Sequence, residues 1–281
     1  MPDISYKTIH VKPLTRHIGA EISGIDLSIP LSAEQVAELR RALLDHLVIF
    51  FRRQPINLDQ HLALGRYFGT LHVHPNSPGP DGYPEVLPIH TDANSRRIAG
   101  DRWHSDVSCD EAPPLGSILH LHTVPPVGGD TLFSSAYAVY ESLSPGLRGY
   151  LEGLTATHDG GPNYRERNRL KGIDDTGKVY PKASHPVVRT HPESGRKGVF
   201  VNPAFTTHLD NVSKAESDAI LNLLFDRFAV PDYQVRFTWD RDSIAFWDNR
   251  SCQHLAVWDY FPEVRSGYRV TINGDKPYLR T

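Results

Sequence analysis

Turn residues punctuate this chain from end to end: 22 prolines and 21 glycines are scattered along 281 residues rather than gathered into linkers. That spacing leaves room mainly for short elements, and many short strands must pack as a sandwich or barrel. The intervening segments fit the demand. Gly116–His122, Val187–Thr190, Gly198–Asn202, Gln234–Trp239, Ser243–Trp247 and Tyr268–Ile272 are short, rich in Val, Ile, Phe and Thr, and bounded by turns. Leu47–Phe51 reads as a buried strand.

Helices interrupt the pattern where capping signals occur. Ser32-Ala33-Glu34-Gln35 is a capping box before Val36, Leu39, Leu43 and Leu44; Asn57-Leu58-Asp59-Gln60 opens a second helix through Leu62, Leu64 and Phe68. Ser213-Lys214-Ala215-Glu216 opens a third, with Ile220, Leu223, Leu224 and Phe228. The expectation is one domain over residues 1–281, mainly β with flanking helices. Residues 160–184 stand apart: Tyr164, Arg165, Arg167, Arg169 and Lys171 form a polar stretch of little periodicity, expected to be a long loop serving as a lid.

Composition narrows the partners. A net charge of −3 offers no basic field for nucleic acid. No apolar run approaches the ~20 residues of a membrane span, and the first residues lack an apolar signal core. Two cysteines, Cys109 and Cys252, make no disulfide framework, so a reducing cytoplasm is expected. The sequence leaves a homo-oligomer open.

Histidine is abundant, at 15 residues. Two His and one carboxylate on one face of a metal form the ligand set of non-haem Fe(II) oxygenases. His-x-Asp on or beside a strand puts two such ligands on one side. The motif occurs three times: His90-Thr91-Asp92, His104-Ser105-Asp106 and His208-Leu209-Asp210. His90 sits in a polar stretch expected to be an exposed loop, and His208 lies close to a helix start where Asp210 suits turn chemistry. His104 has the partly apolar, rigid setting: Trp103 before it, Val107-Ser108 after it, then Ala112-Pro113-Pro114 and a clear strand.

That segment resembles the taurine dioxygenase family of 2-oxoglutarate-dependent oxygenases, and further motifs follow in the same order: Gly128-Gly129-Asp130-Thr131, Trp247-Asp248-Asn249-Arg250 with His254, then Arg265 and Arg269 before Gly274-Asp275-Lys276-Pro277. Ile18–Leu27 fits near the N-terminus, so the likeness spans the chain. It implies a double-stranded β-helix, or jelly roll. It implies Fe(II) bound by His104, Asp106 and His254, and 2-oxoglutarate held through its distal carboxylate by Arg265 with Thr131. With O2, such an enzyme hydroxylates a small anionic organic substrate and releases succinate and CO2. A guanidinium suits the carboxylate because its planar fork binds bidentately.

His74 and Arg269 match the family's anion-binding positions, and Phe205 and Val107 its apolar wall. Other positions depart. Ser77, Gly100, Cys109 and Gly160 stand where taurine dioxygenase has larger residues, which predicts a wider pocket. An organosulfonate, an alkyl sulfate ester or an aryloxy-alkanoate is then expected in preference to taurine. Two rivals use the same residues differently: a zinc hydrolase on the His/Asp/His set, and a non-catalytic jelly-roll binding domain.

Overall fold

The computed structural model describes residues 6–74, 79–98, 100–170 and 172–280. Among them run, in chain order, β1 (His10–Pro13), β2 (Ala20–Ser23), α1 (Ala33–His46), β3 (Val48–Phe51), α2 (Leu58–Arg66), β4 (Val86–Thr91), β5 (Gly116–Thr123) and β6 (Thr131–Ser135). Then come α3 (Ala136–Glu141), α4 (Pro145–Glu152), β7 (Thr155–Asp159), α5 (Gly161–Leu170), β8 (Lys182–Pro186), β9 (Val188–Thr190), β10 (Lys197–Val199) and β11 (Thr206–Leu209). α6 (Lys214–Phe228), β12 (Gln234–Phe237), β13 (Ser243–Asp248), β14 (Cys252–Ala256) and β15 (Arg265–Ile272) complete the domain.

A seven-stranded sheet in the order β1-β2-β3-β13-β5-β15-β4 faces a three-stranded sheet, β12-β6-β14. The core between them explains the strand sequences. On β3 and β13, Val48, Phe50, Ala245 and Trp247 meet Phe133, Val235 and Phe237 of the smaller sheet. The alternate residues Ile49, Phe51, Ile244 and Phe246 point the other way, onto Leu39, Leu43 and Leu64 of α1 and α2. A strand covered on both faces has no polar side to alternate with, which is why these segments read as continuous apolar runs. The result is the expected jelly roll, with α1 and α2 outside the large sheet. A second core joins α3 and α6 to β7, β9 and β11.

The capping box expected at Ser32 forms, and the helix starts expected at Asn57 and Ser213 are capping boxes too: all three side chains accept from the backbone N–H three residues on. The second helix ends at Arg66, short of Phe68. The expected loop at 160–184 is corrected. Its first half is helix α5, and its end is strand β8. No helix among the described residues is long and apolar enough to cross a membrane.

Candidate active site

The two histidines are brought together by backbone pairing. His104 and His254 form an antiparallel bridge, with His104 N donating to His254 O at 3.1 Å and His254 N to His104 O at 2.9 Å. Their rings lie 4.0 Å apart, centroid to centroid. Asp106, two residues past the bridge, sends Oδ1 to 3.8 Å from His104 Nε2 and 3.9 Å from His254 Nε2. The three ligand atoms lie within 4.8 Å of one another, and no other such cluster occurs among the described residues.

Supporting groups hold two of the three side chains, His104 and Asp106, while His254 Nδ1 has no partner among the described residues. His104 Nδ1 is 2.8 Å from the Arg102 carbonyl, which can only accept, so the ring keeps its proton there and turns a lone pair inward at Nε2. Ser117 donates to Asp106 Oδ2 at 2.8 Å, while Asp106 N donates to Asn249 Oδ1, itself held by Trp247 Nε1. Burial pushes both imidazoles toward the neutral form, His254 strongly. Burial would raise the Asp106 carboxyl, but Arg269 and the two histidines hold it well below the usual carboxylate range. Two neutral imidazoles and one carboxylate, all buried and convergent, form a donor set that fits a divalent metal.

The decoy pairs lie elsewhere. His90 is on strand β4 rather than in the loop expected of it, and is exposed. His208 is on strand β11, also exposed, and not at a helix start. Asp210 accepts hydroxyls from Thr155, Thr157 and Ser184, a local structural use.

Arg265 opens β15 and is almost fully buried. Its Nε donates to Gly129 O at 3.1 Å and its Nη2 to Thr131 Oγ1 at 3.3 Å, with no ion pair among the described residues. Burial lowers its pKa to about 10, which leaves it cationic at neutral pH. Gly128 and Gly129, at φ +82° and +73°, make the turn that aims this carbonyl at the arginine; a Cβ on Gly128 would come within 2.4 Å of Asp259 Oδ1. Thr131 Oγ1 also accepts from Trp239 Nε1 at 3.0 Å. With two donors on its oxygen, its own hydrogen is left to donate. A buried guanidinium without a carboxylate, beside a hydroxyl ready to donate, fits a carboxylate ligand.

Arg269, four residues along the same strand, lies on average ~3.3 Å per residue further, about 13 Å from Arg265. Its Nη1 donates to Asp106 Oδ1 at 2.6 Å, and its Nε has no partner among the described residues. Both arginines, with His74, Val107 and Phe205, line one cavity of about 540 Å3. Val107, directly after the Asp ligand, sits at φ +46°, an uncommon setting for a β-branched residue. Six arginines but only two aspartates line the cavity.

Over residues 10–271 the chain matches the family model described as taurine catabolism dioxygenase TauD, TfdA family. It belongs to that family. It is 34% identical to the alpha-ketoglutarate-dependent sulfate ester dioxygenase of Pseudomonas putida, over 96% of this chain and 91% of the relative. It is also 34% identical to an alkylsulfatase of Acinetobacter baylyi, over 95% and 86%. The crystal structure of a taurine dioxygenase from Burkholderia xenovorans superposes with a TM-score of 0.84 at 38% identity, covering 97% of this chain and 93% of that one. The chain is therefore a 2-oxoglutarate-dependent dioxygenase that works with Fe(II), 2-oxoglutarate and O2.

Within this TauD/TfdA-family site, two residues expected to widen the pocket, Cys109 and Gly160, do not line the cavity. Gly160 lies beneath Tyr164: a Cβ there would come 2.7 Å from the Tyr164 ring and 2.9 Å from Cys109 Sγ. Tyr164 stacks with Tyr180 at 5.4 Å and leans on Phe205 at 6.2 Å, so it has taken the volume that Gly160 and Cys109 leave. Gly100 lines the cavity, but its φ of +86° and the 3.0 Å approach of a Cβ to His104 Cε1 require glycine there whatever the substrate. Ser77 lies outside the described residues.

The sequence reading missed other contributors. Thr91 and Tyr260 share a 2.7 Å hydroxyl contact beside Arg265, and both line the cavity. Trp239 supports Thr131. Thr91 lies on β4, whereas Tyr260 and Trp239 lie in segments between strands, and no local motif joins them. The roof was missed too: Arg97, in the loop after β4, is 3.0 Å from Glu166 of α5, and Arg102 is 3.8 Å from the same carboxylate.

Proposed function

We propose that His104, Asp106 and His254 hold Fe(II), that Arg265 and Thr131 hold the distal carboxylate of 2-oxoglutarate, and that His74, Arg269, Phe205 and Val107 seat a small organic anion. The substrate class is an organosulfonate, an alkyl sulfate ester or an aryloxy-alkanoate. The observation that carries this reading is the arginine-rich cavity, lined by Arg265 and Arg269 of one strand and by His104 and Asp106 of the His-Asp-His cluster. The relatives named for sulfate esters support it.

Bound Fe(II) and 2-oxoglutarate supply the oxidising chemistry, with succinate and CO2 as co-products. The protein's own work is placement. Arg265 takes the distal carboxylate as a charge-assisted pair, and the Thr131 hydroxyl donates beside it. Phe205 and Val107 give the substrate tail an apolar wall, worth ~25 cal/mol per Å2 buried. The 160–184 segment, with α5 tied down through Glu166, acts as a cover that keeps water from the cavity. The same arginines disfavour the ammonium of taurine, which keeps larger anions ahead of it. Two buried, unpaired thiols suit a reducing cytoplasm.

Succinate release tests the reading. Enzyme with Fe(II) and 2-oxoglutarate is supplied with hexyl sulfate, hexanesulfonate, 2-phenoxypropionate or taurine. Release above the no-substrate rate with at least one of the first three, exceeding that with taurine, is expected. A preference for taurine over all three would contradict the cavity argument. No stimulation by any anion would overturn the substrate class.

A further inference from the structure

We infer that Arg167 is a specificity-determining residue: with His74 and Arg269 it seats a three-oxygen sulfonate or sulfate head in preference to a two-oxygen carboxylate. The inference rests on the function proposed above.

Helix α5 turns one face into the cavity. Asn163, Tyr164, Arg167 and Leu170 line it, at the i, i+3/i+4 and i+7 spacing of one helical face. Tyr164, one turn before Arg167, sets its ring edge-on to His74 at 6.4 Å. Arg269 reaches the same space from β15, and His74 from the segment ahead of β4. Three nitrogen donors from three separate elements thus meet in one cavity.

The charge balance around Arg167 is the second observation. Glu166, the only acid on α5, is engaged by Arg97 and Arg102. Asp101 takes both arms of Arg97, and Asp106 takes Arg269. Arg167 is half-buried and has no carboxylate partner among the described residues. Burial weakens its charged form most; Tyr164 opposes this, and the positive fields of Arg269 and Arg97 add smaller weakening effects. Burial, then the cations Arg269 and Arg167, lower His74 to about 4, so at neutral pH it is an uncharged donor. A site whose cations repel one another is relieved by an anion. A sulfo head offers one oxygen to each of three donors, whereas a carboxylate leaves one donor unanswered.

The test uses Arg167→Gln and Arg167→Lys in the full-length enzyme loaded with Fe(II) and 2-oxoglutarate. Anaerobic calorimetry gives the Kd of hexyl sulfate and of heptanoate, and succinate release gives kcat and KM. For Arg167→Gln, the hexyl sulfate Kd and KM should rise roughly ten- to a hundredfold, the loss of one charge-assisted hydrogen bond. Heptanoate should change less than about threefold, kcat at saturation should hold within about threefold, and Arg167→Lys should recover part of the sulfate affinity. Equal losses on both heads would overturn the inference in favour of a general role in seating α5. Unchanged sulfate affinity would remove Arg167 from the site while leaving the proposed function standing. Wild-type enzyme that binds neither anion would overturn both.

Discussion

The two ends of the active-site cavity are built by different means. The metal and 2-oxoglutarate end hangs on the sheets: a two-residue bridge aligns His104 with His254, strand β15 carries Arg265, and strand β6 begins at Thr131. Its side chains are nearly all buried; His104, Asp106, Arg265 and Thr131 each have a hydrogen-bond partner, whereas His254 Nδ1 has none among the described residues. The substrate end is roofed instead by α5 and the loop after β4, clasped by ion pairs between half-exposed side chains. Buried, over-determined groups hold reactive geometry to a fraction of an ångström, whereas exposed ion pairs contribute little. On the function proposed above, the sheet end sets the reaction and the roof selects the substrate.

Substitutions at the two ends should differ accordingly, and the largest effect falls on the ligands. Ala at His104, Asp106 or His254 should abolish Fe(II)-dependent succinate release with the thermal transition largely kept, while Ala at His90 or His208 should leave turnover unchanged. Loss of iron binding on removing His90 would break the comparison at its base. Next comes Arg265→Lys, which keeps the charge and loses the fork. The KM for 2-oxoglutarate should rise roughly ten- to a hundredfold, with little change in the KM for the organic anion. An unchanged value would take Arg265 out of that role.

Effects at the roof should be smaller and should fall on substrate choice. Tyr164→Ala removes the ring that fills the space above Gly160 and Cys109, so kcat/KM should shift toward bulkier anions such as 2-phenoxypropionate, with the KM for 2-oxoglutarate steady. A parallel loss on every substrate and on 2-oxoglutarate would show that the two ends are not separable. Glu166→Gln should be the mildest: a partly exposed pair is worth about 0.2–1 kcal/mol, so the substrate KM should change less than about fivefold, and less still at high salt. A change of a hundredfold would make the clasp part of the rigid end.

The same division decides what could be read from the sequence. The proposed metal ligands, Arg265 and Thr131 are legible because they lie in short motifs that resemble those of the taurine dioxygenase family, and the helix starts at Ser32, Asn57 and Ser213 are legible because capping signals are local by nature. The roof carries no such signal. Helix α5 has Arg165, Glu166, Arg167 and Arg169 on a short span and only Tyr164 and Leu170 as apolar inward residues, so it shows no stripe. Ser144 followed by Pro145 did mark the start of α4, a cap and an N1 proline that pattern reading passed over. The small residues at 109 and 160 misled because pocket volume depends on what packs against a position, and Tyr164 packs over both, four residues from Gly160 in the chain.

The most direct test of the central claim is Fe(II) binding by anaerobic equilibrium dialysis, for the wild type and for Asp106→Ala, joined to turnover with Fe(II) or Zn(II). One Fe(II) per chain at micromolar concentration, lost in the variant, with succinate formed under Fe(II) and none under Zn(II), is the expected result. Failure of the wild type to bind Fe(II), or turnover supported by Zn(II), would contradict it.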